Sequence, residues 1–187
     1  MDLTRPLSWS AISSFRYNPE QWYKKYVLKE EQPASPAMLF GNYVGNLLAT
    51  DPTYLPQVPR AEIFEYALTP RLGDIPLVGY IDSYTPHHTL HEYKTGQPLW
   101  SQNRADSHQQ VDMYLLQLYL TDGVKPSEIT PTIHWLPTQE NSDFTVSLRS
   151  ETAIHSFHTP RSMFQLLSFG QQVQKTWQDM QEYAKHY

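Results

Sequence analysis

The hydrophobic period of this chain changes from helical to alternating at Ala61 and returns to helical at about Asp106. Side chains on one face recur every 3.6 residues in a helix and every 2 in a strand, so the two periods put helices and strands in one α/β arrangement. Ahead of Ala61, Ile12, Phe15, Trp22, Tyr23 and Tyr26 fall at helical spacing behind Ser10 as N-cap, with Pro19 breaking or restarting the segment. Ser35-Pro36 opens a second helix that should run through Leu47 and Leu48 until Asp51-Pro52 stops it. Gly41 and Gly45 stand one turn apart in it. Each costs ~1 kcal/mol of helix stability, which calls for a strand or a ligand close to that face.

The alternating region reads as a meander. Glu62, Phe64, Tyr66 and Leu68 share one face of a first strand, and Ile63, Glu65 and Ala67 the other. After a turn at Leu72 to Pro76 come strands over Leu77 to Tyr84 and His88 to Lys94. Val111, Leu115 and Leu118 then stripe a helix that Gly123 stops. Ile129 to Leu136 and Phe144 to Leu148 give two more strands. Thr159-Pro160 starts a long last helix buried through Met163, Leu166, Leu167, Val173, Trp177 and Met180, with Gly170 as its weak point. The expected order is ααβββαββα: a central mixed sheet with a β-meander core, flanked by helices.

At 187 residues the chain suits one domain spanning residues 1–187. Fourteen Lys and Arg against nineteen Asp and Glu leave a net charge of −5, which excludes a highly cationic nucleic-acid binder but not a local basic groove. Lys24, Lys25 and Lys29 put such a basic side on the opening helix, where a plain solvated face serves equally well as a reading. The absence of cysteine excludes disulfides, thiolate zinc sites, a cysteine nucleophile and a cysteine-held iron–sulfur cluster. A polar start and no run of about 18 apolar residues point to an intracellular, cytoplasmic protein with no membrane partner.

Chemistry concentrates in Gly79-Tyr80-Ile81-Asp82, Glu92-Tyr93-Lys94, and Gln110 with Tyr114. Glu92 and Lys94 leave one face of their strand, and a hairpin neighbour can set Asp82 beside them. Hard ions such as Mg²⁺ take one or two carboxylates and leave their other positions to water and phosphate. A nearby lysine offsets phosphate charge while the metal activates water, which is the equipment of phosphodiester hydrolysis. Gln110, Tyr114 and Gln117 form a polar ridge on their helix, opposite the apolar stripe and facing away from the core, suited to phosphate or sugar contacts. The bland alternative for Asp82, Glu92 and Lys94 is a cross-strand ion network.

Taken in order, these residues resemble the RecB-like exonuclease branch of the PD-(D/E)XK nucleases, which includes viral and bacterial recombination exonucleases and CRISPR-associated adaptation nucleases. The resemblance covers most of the chain: Ser8-Trp9-Ser10, Phe15 and Asn18-Pro19, Gly41, Gly79 to Asp82, Glu92-Tyr93-Lys94-Thr95-Gly96, and Gln110-Val111-Asp112-Met113-Tyr114. It implies a restriction-endonuclease-like fold. It further implies that Asp82, Glu92 and the Tyr93 carbonyl bind Mg²⁺ or Mn²⁺, that Lys94 assists catalysis, and that Gln110 and Tyr114 contact substrate. One more carboxylate commonly completes such sites. Here the choice lies between Glu62 and Glu65, and the inward face shared with Phe64 and Tyr66 favours Glu62, which can hold a second ion.

Two departures stand out. Many members carry a histidine four residues after the helix glycine, where this chain has Gly45, and several hold an iron–sulfur cluster that a cysteine-free chain cannot. The expected function is metal-dependent DNA hydrolysis, as an exonuclease on DNA ends or single strands in recombination, repair or viral DNA processing. The alternative is an inactive DNA-binding or assembly subunit. A homo-oligomer or a recombination partner protein stays open. His87-His88 reads as a loop pair, and His155 and His158 as the lead into the last helix. Trp100 with Arg104 reads first as a surface connection and second as a platform for an unpaired base.

Overall fold

The computed structural model describes residues 5–149 and 154–186. Helix α1 (Trp9–Tyr17) starts two residues earlier than its period suggested: Ser8, not Ser10, is the cap, its hydroxyl accepting the Ala11 N–H at 3.2 Å. Asn18 ends α1 and caps α2 (Pro19–Trp22), which passes into a π-helical turn over Tyr23–Val27. Helix α3 (Pro36–Thr50) is capped by Ser35 and stops at Asp51, as expected.

Strand β1 (Ile63–Leu68) leads into a small hairpin, β2 (Arg71–Leu72) and β3 (Ile75–Pro76), then β4 (Gly79–Thr85) and β5 (Thr89–Gly96). His87 and His88 sit in the turn joining β4 to β5. A short α4 (Gln102–Asp106) precedes α5 (Gln109–Asp122), which ends on Gly123 at φ +70°, a left-handed cap that suits a residue without Cβ. Strands β6 (Thr130–Glu140), β7 (Val146–Leu148) and β8 (His155–His158) follow, and α6 (Met163–Lys185) closes the described chain behind a Ser162–Gln165 capping box.

The expected order is kept with short additions. His155 and His158 do not lead into the last helix but begin and end β8, whose four residues are too few to read as a strand without β6 beside them. Helix α6 passes through Gly170 unbroken and packs it against Leu116 of α5.

The sheet runs β1-β4-β5-β6-β7, with β8 also paired to β6. Pairings among β1, β4 and β5 are antiparallel, whereas β5 and β6 run parallel from Thr89↔Thr130 to Gly96↔Pro137. Parallel neighbours need a crossover, and the α4–α5 segment supplies it. Parity along β6 separates two apolar cores. Ile133 and Trp135 join the larger one with α1, α5 and α6, and Leu136 joins the smaller one with Val44 and Leu48 of α3. The sheet is therefore covered on both faces, and α5 is buried from Val111 to Leu118. Among the described residues no helix is long and apolar enough to cross a membrane.

Candidate active site

The site forms where the β4–β5 ladder ends. Its register runs Thr85↔Thr89, Tyr84↔Leu90, Ser83↔His91 and goes no further. In place of the next rung the Asp82 side chain turns to β5, its Oδ2 accepting the Tyr93 N–H at 2.7 Å. That exchange holds Asp82 beside Glu92, the first residue past the shared ladder, while β5 continues along β6.

A chain of polar contacts extends from there into α5. Lys94 Nζ is ion-paired with Glu92 Oε1 and donates to Gln110 Oε1 at 2.8 Å. Gln110 Nε2 donates in turn to the Tyr114 hydroxyl at 2.6 Å. Glu92 is 1% exposed, and its second oxygen, Oε2, is buried with no hydrogen-bond partner. Burial first, and the neighbouring Glu92 second, hold the Asp82 carboxyl well above the usual carboxylate range. Burial likewise pushes the Tyr114 hydroxyl well up, with Glu92 and Asp82 adding to it, so this phenol keeps its proton. Two crowded carboxylates with one unpartnered oxygen are short of positive charge.

Asp82, Glu92, Lys94 and Gln110 line one end of a cleft of about 730 Å³ whose other wall is α3. Gly41 explains itself there: a Cβ would lie 3.0 Å from Thr95 Oγ1, so the glycine lets α3 close onto β5. Gly45 differs, since a Cβ on it would meet nothing within 4 Å. It opens onto the cleft and leaves space where a longer side chain would stand.

The structure separates the two candidate extra carboxylates, and it corrects the choice. Glu62 precedes β1, is exposed, and does not line the cleft; Glu65 does. Glu65 has φ +50°, which interrupts the strand alternation opposite Asp82, so that Phe64 packs in the smaller core and Tyr66 against the larger one. Burial and Glu92 raise the Glu65 carboxyl, which places it in the same electrostatic cluster.

The ridge on α5 needs a second correction. It faces inward, because α5 lies between the sheet and α6 and has no solvent side along its middle. Gln117 is fully buried over Gly79, away from the cleft. Tyr114 is buried behind Gln110 and lines no cleft wall; it orients Gln110, which does reach the cleft. Tyr93 points its side chain to the other sheet face, stacking on His134 and donating its hydroxyl to the Pro59 carbonyl at 2.8 Å, and burial raises that hydroxyl to about 12.

No group of three or more His, Cys, Asp or Glu converges as a ready metal cage among the described residues. The donor set instead suits a hard ion that keeps several waters: all-oxygen, with two carboxylates and an unpartnered buried Glu92 oxygen. The residues present fit Mg²⁺ or Mn²⁺.

A residue with no obvious motif secures this arrangement. Arg161, just before α6, ion-pairs with Asp112 of α5 at 2.6 Å, both side chains being buried, and so ties α6 to the helix that carries Gln110. No sequence pattern flagged the pair.

No family model matches the chain, and no curated protein does. Among solved structures it is similar to a crystal structure of a "putative exonuclease" from Eubacterium rectale, at 12% identity and a TM-score of 0.60, over 96% of this chain and 80% of that one. The likeness is one of fold: a mixed sheet flanked by helices.

Proposed function

We propose that this protein is a divalent-metal-dependent deoxyribonuclease that works from DNA ends or on single strands. The observation that carries the reading is the unpartnered, buried Glu92 oxygen beside Asp82, with Lys94 held in contact with the same carboxylate. The exonuclease name borne by the E. rectale structure supports it. Asp82, Glu92 and the Tyr93 carbonyl would hold the ion, with Glu65 rather than Glu62 as the further acidic group. Once bound, Mg²⁺ or Mn²⁺ supplies a water of lowered pKa and offsets the charge that develops on the phosphate.

The protein side of the mechanism is positioning and charge. Lys94, fixed between Glu92 and Gln110, donates to an attacking water or a phosphate oxygen. Gln110 holds Lys94 in that direction, and Tyr114, keeping its proton, holds Gln110. Residues 1–187 act together as one nuclease domain in this reading, without an iron–sulfur cluster. Gly45 favours a second reading, a DNA-binding or assembly subunit that has lost turnover, because it places no side chain there that could ligate a metal.

Digestion of end-labelled linear single- and double-stranded DNA beside a closed circle, with Mg²⁺ or Mn²⁺, separates the two. An exonuclease degrades only the linear forms, and Lys94→Ala abolishes it. In parallel, Mn²⁺ should raise Tm for the wild type and not for Asp82→Asn: at 100 times Kd the gain is about 2.7 kcal/mol. DNA binding without cleavage identifies the inactive subunit, and a chain that neither cleaves nor binds DNA refutes both readings.

A further inference from the structure

A second cavity, of about 440 Å³, adjoins the cleft across Lys94, Thr95 and Gln110. Its remaining wall combines Trp9 from α1, Lys25 and Tyr26 from the π-helical turn, and Trp100, Arg104 and His108 from the segment after β5. In a chain with five more acidic than basic residues, the lining of this cavity contains three cations, Lys25, Lys94 and Arg104, and no carboxylate.

The aromatic groups are arranged unequally. Trp100 is only 8% exposed, with its ring edge-on to His108 at 5.2 Å, so it is fixed and mostly covered. Its cover is the Arg104 guanidinium, 4.5 Å from the ring centre. Arg104 is exposed and forms no ion pair among the described residues. A planar cation thus sits over a buried indole at the cavity wall. His108 Nε2 is buried without a partner on the same wall, and Lys25 sits over the Tyr26 ring at 5.4 Å. Arginine planes and aromatic rings hold splayed bases by stacking, and lysines hold the adjoining phosphates.

We propose that this cavity is a subsite for one unpaired DNA nucleotide next to the phosphate at Lys94, its base stacked on the Arg104 plane that Trp100 backs and its backbone facing Lys25. A base still stacked in a duplex has no free face to offer that plane, so the subsite selects single strands or frayed ends. Arg104 contacts the nucleotide; Trp100 is a positioning residue. The inference rests on the nuclease reading for its neighbouring phosphate, and it names the form of DNA that site accepts.

The test measures binding of a labelled oligothymidylate and of a blunt duplex to the full chain in EDTA, by fluorescence anisotropy. Arg104→Ala should weaken oligothymidylate binding by about 10- to 100-fold, the range of one lost base stack. Arg104→Lys, which keeps the charge and loses the plane, should lose nearly as much while leaving duplex affinity and the salt slope unchanged. Lysine binding as tightly as arginine overturns the proposal, as does a parallel loss for single strand and duplex. Arg104 is exposed, and an unchanged melting temperature confirms that each variant folds. The same preparations assayed for cleavage keep the two readings apart. Cleavage that depends on Lys94 with binding indifferent to Arg104 refutes the subsite alone. Arg104-dependent single-strand binding without cleavage by the wild type supports the subsite and refutes catalysis.

Discussion

Replacing Arg161 with methionine should destabilise this protein more than any surface change, because it strands a buried carboxylate. Arg161 Nε meets Asp112 Oδ1 at 2.6 Å, with 2% and 11% of the two side chains exposed. The guanidinium also donates to the Thr159 carbonyl at 2.8 Å and reaches the Ala105 carbonyl at 3.4 Å, stitching the start of α6 to the α4–α5 joint. Breaking such a pair from one side costs about 3–5 kcal/mol, against a total stability of about 5–15 kcal/mol. With a urea slope of about 2 kcal/mol/M, the unfolding midpoint should fall by about 2 M. The pH dependence supplies an independent check. Burial already holds the Asp112 carboxyl above its usual range against the opposing pull of Arg161. Without that pull it rises further, and a raised carboxyl pKa in the folded state adds stability below that pKa and loses it as the pH climbs. The deficit of Arg161→Met is therefore largest at pH 7 and shrinks toward pH 5. Replacing both partners, Asp112→Leu with Arg161→Met, should recover most of the loss. A penalty under about 1 kcal/mol, or one that grows on acidification, would refute the reasoning.

Gly45→Ala and Gly41→Ala carry the same gain in helix propensity, up to about 1 kcal/mol, and differ only in space. The first adds a Cβ that meets nothing within 4 Å and should raise Tm by about 2–4 °C, while the second presses on Thr95 Oγ1 at 3.0 Å and should not; equal shifts in calorimetry would count against that packing. His134 is buried, its Nε2 2.9 Å from His91 Nδ1 and its Nδ1 2.8 Å from Ser156 Oγ, and burial holds its pKa far below the ordinary 6.5. The unfolded chain takes up a proton near pH 6.5 that the folded one refuses, so stability falls as the pH drops below that value, by up to about 1.4 kcal/mol per pH unit. His134→Asn should flatten the fall between pH 6.5 and 5 in urea titrations, and an unchanged slope would exclude this pair as its source.

The parts of the fold legible in the sequence were those decided within a few residues. Ser35-Pro36 and Asp51 bound α3, and Gly123 stops α5, because caps and left-handed stops act on the adjacent backbone. Asp82, Glu92 and Lys94 met as expected, since strand alternation and one hairpin fix their relation. The choice of Glu62 failed because a single positive φ at Glu65 breaks the alternation on which it relied. The outward ridge on α5 failed because an amphipathic period tells which residues share a face, not whether a sheet or water covers that face. Strand β8 was invisible for a related reason: its backbone hydrogen bonds come from β6, 20 to 26 residues away.

The sequence by itself determined the α/β class, the ends of α3 and α5, and the meeting of Asp82, Glu92 and Lys94, all consequences of local periodicity and side-chain chemistry. Only the tertiary structure decided that Glu65 joins them, that Tyr114 supports Gln110 from behind, that Arg161 neutralises Asp112, and that Arg104 sits over the Trp100 ring in the cavity that adjoins Lys94. Those relations depend on how separate elements approach one another, and burial, which sets the strength of every charge in the site, exists only once they have done so.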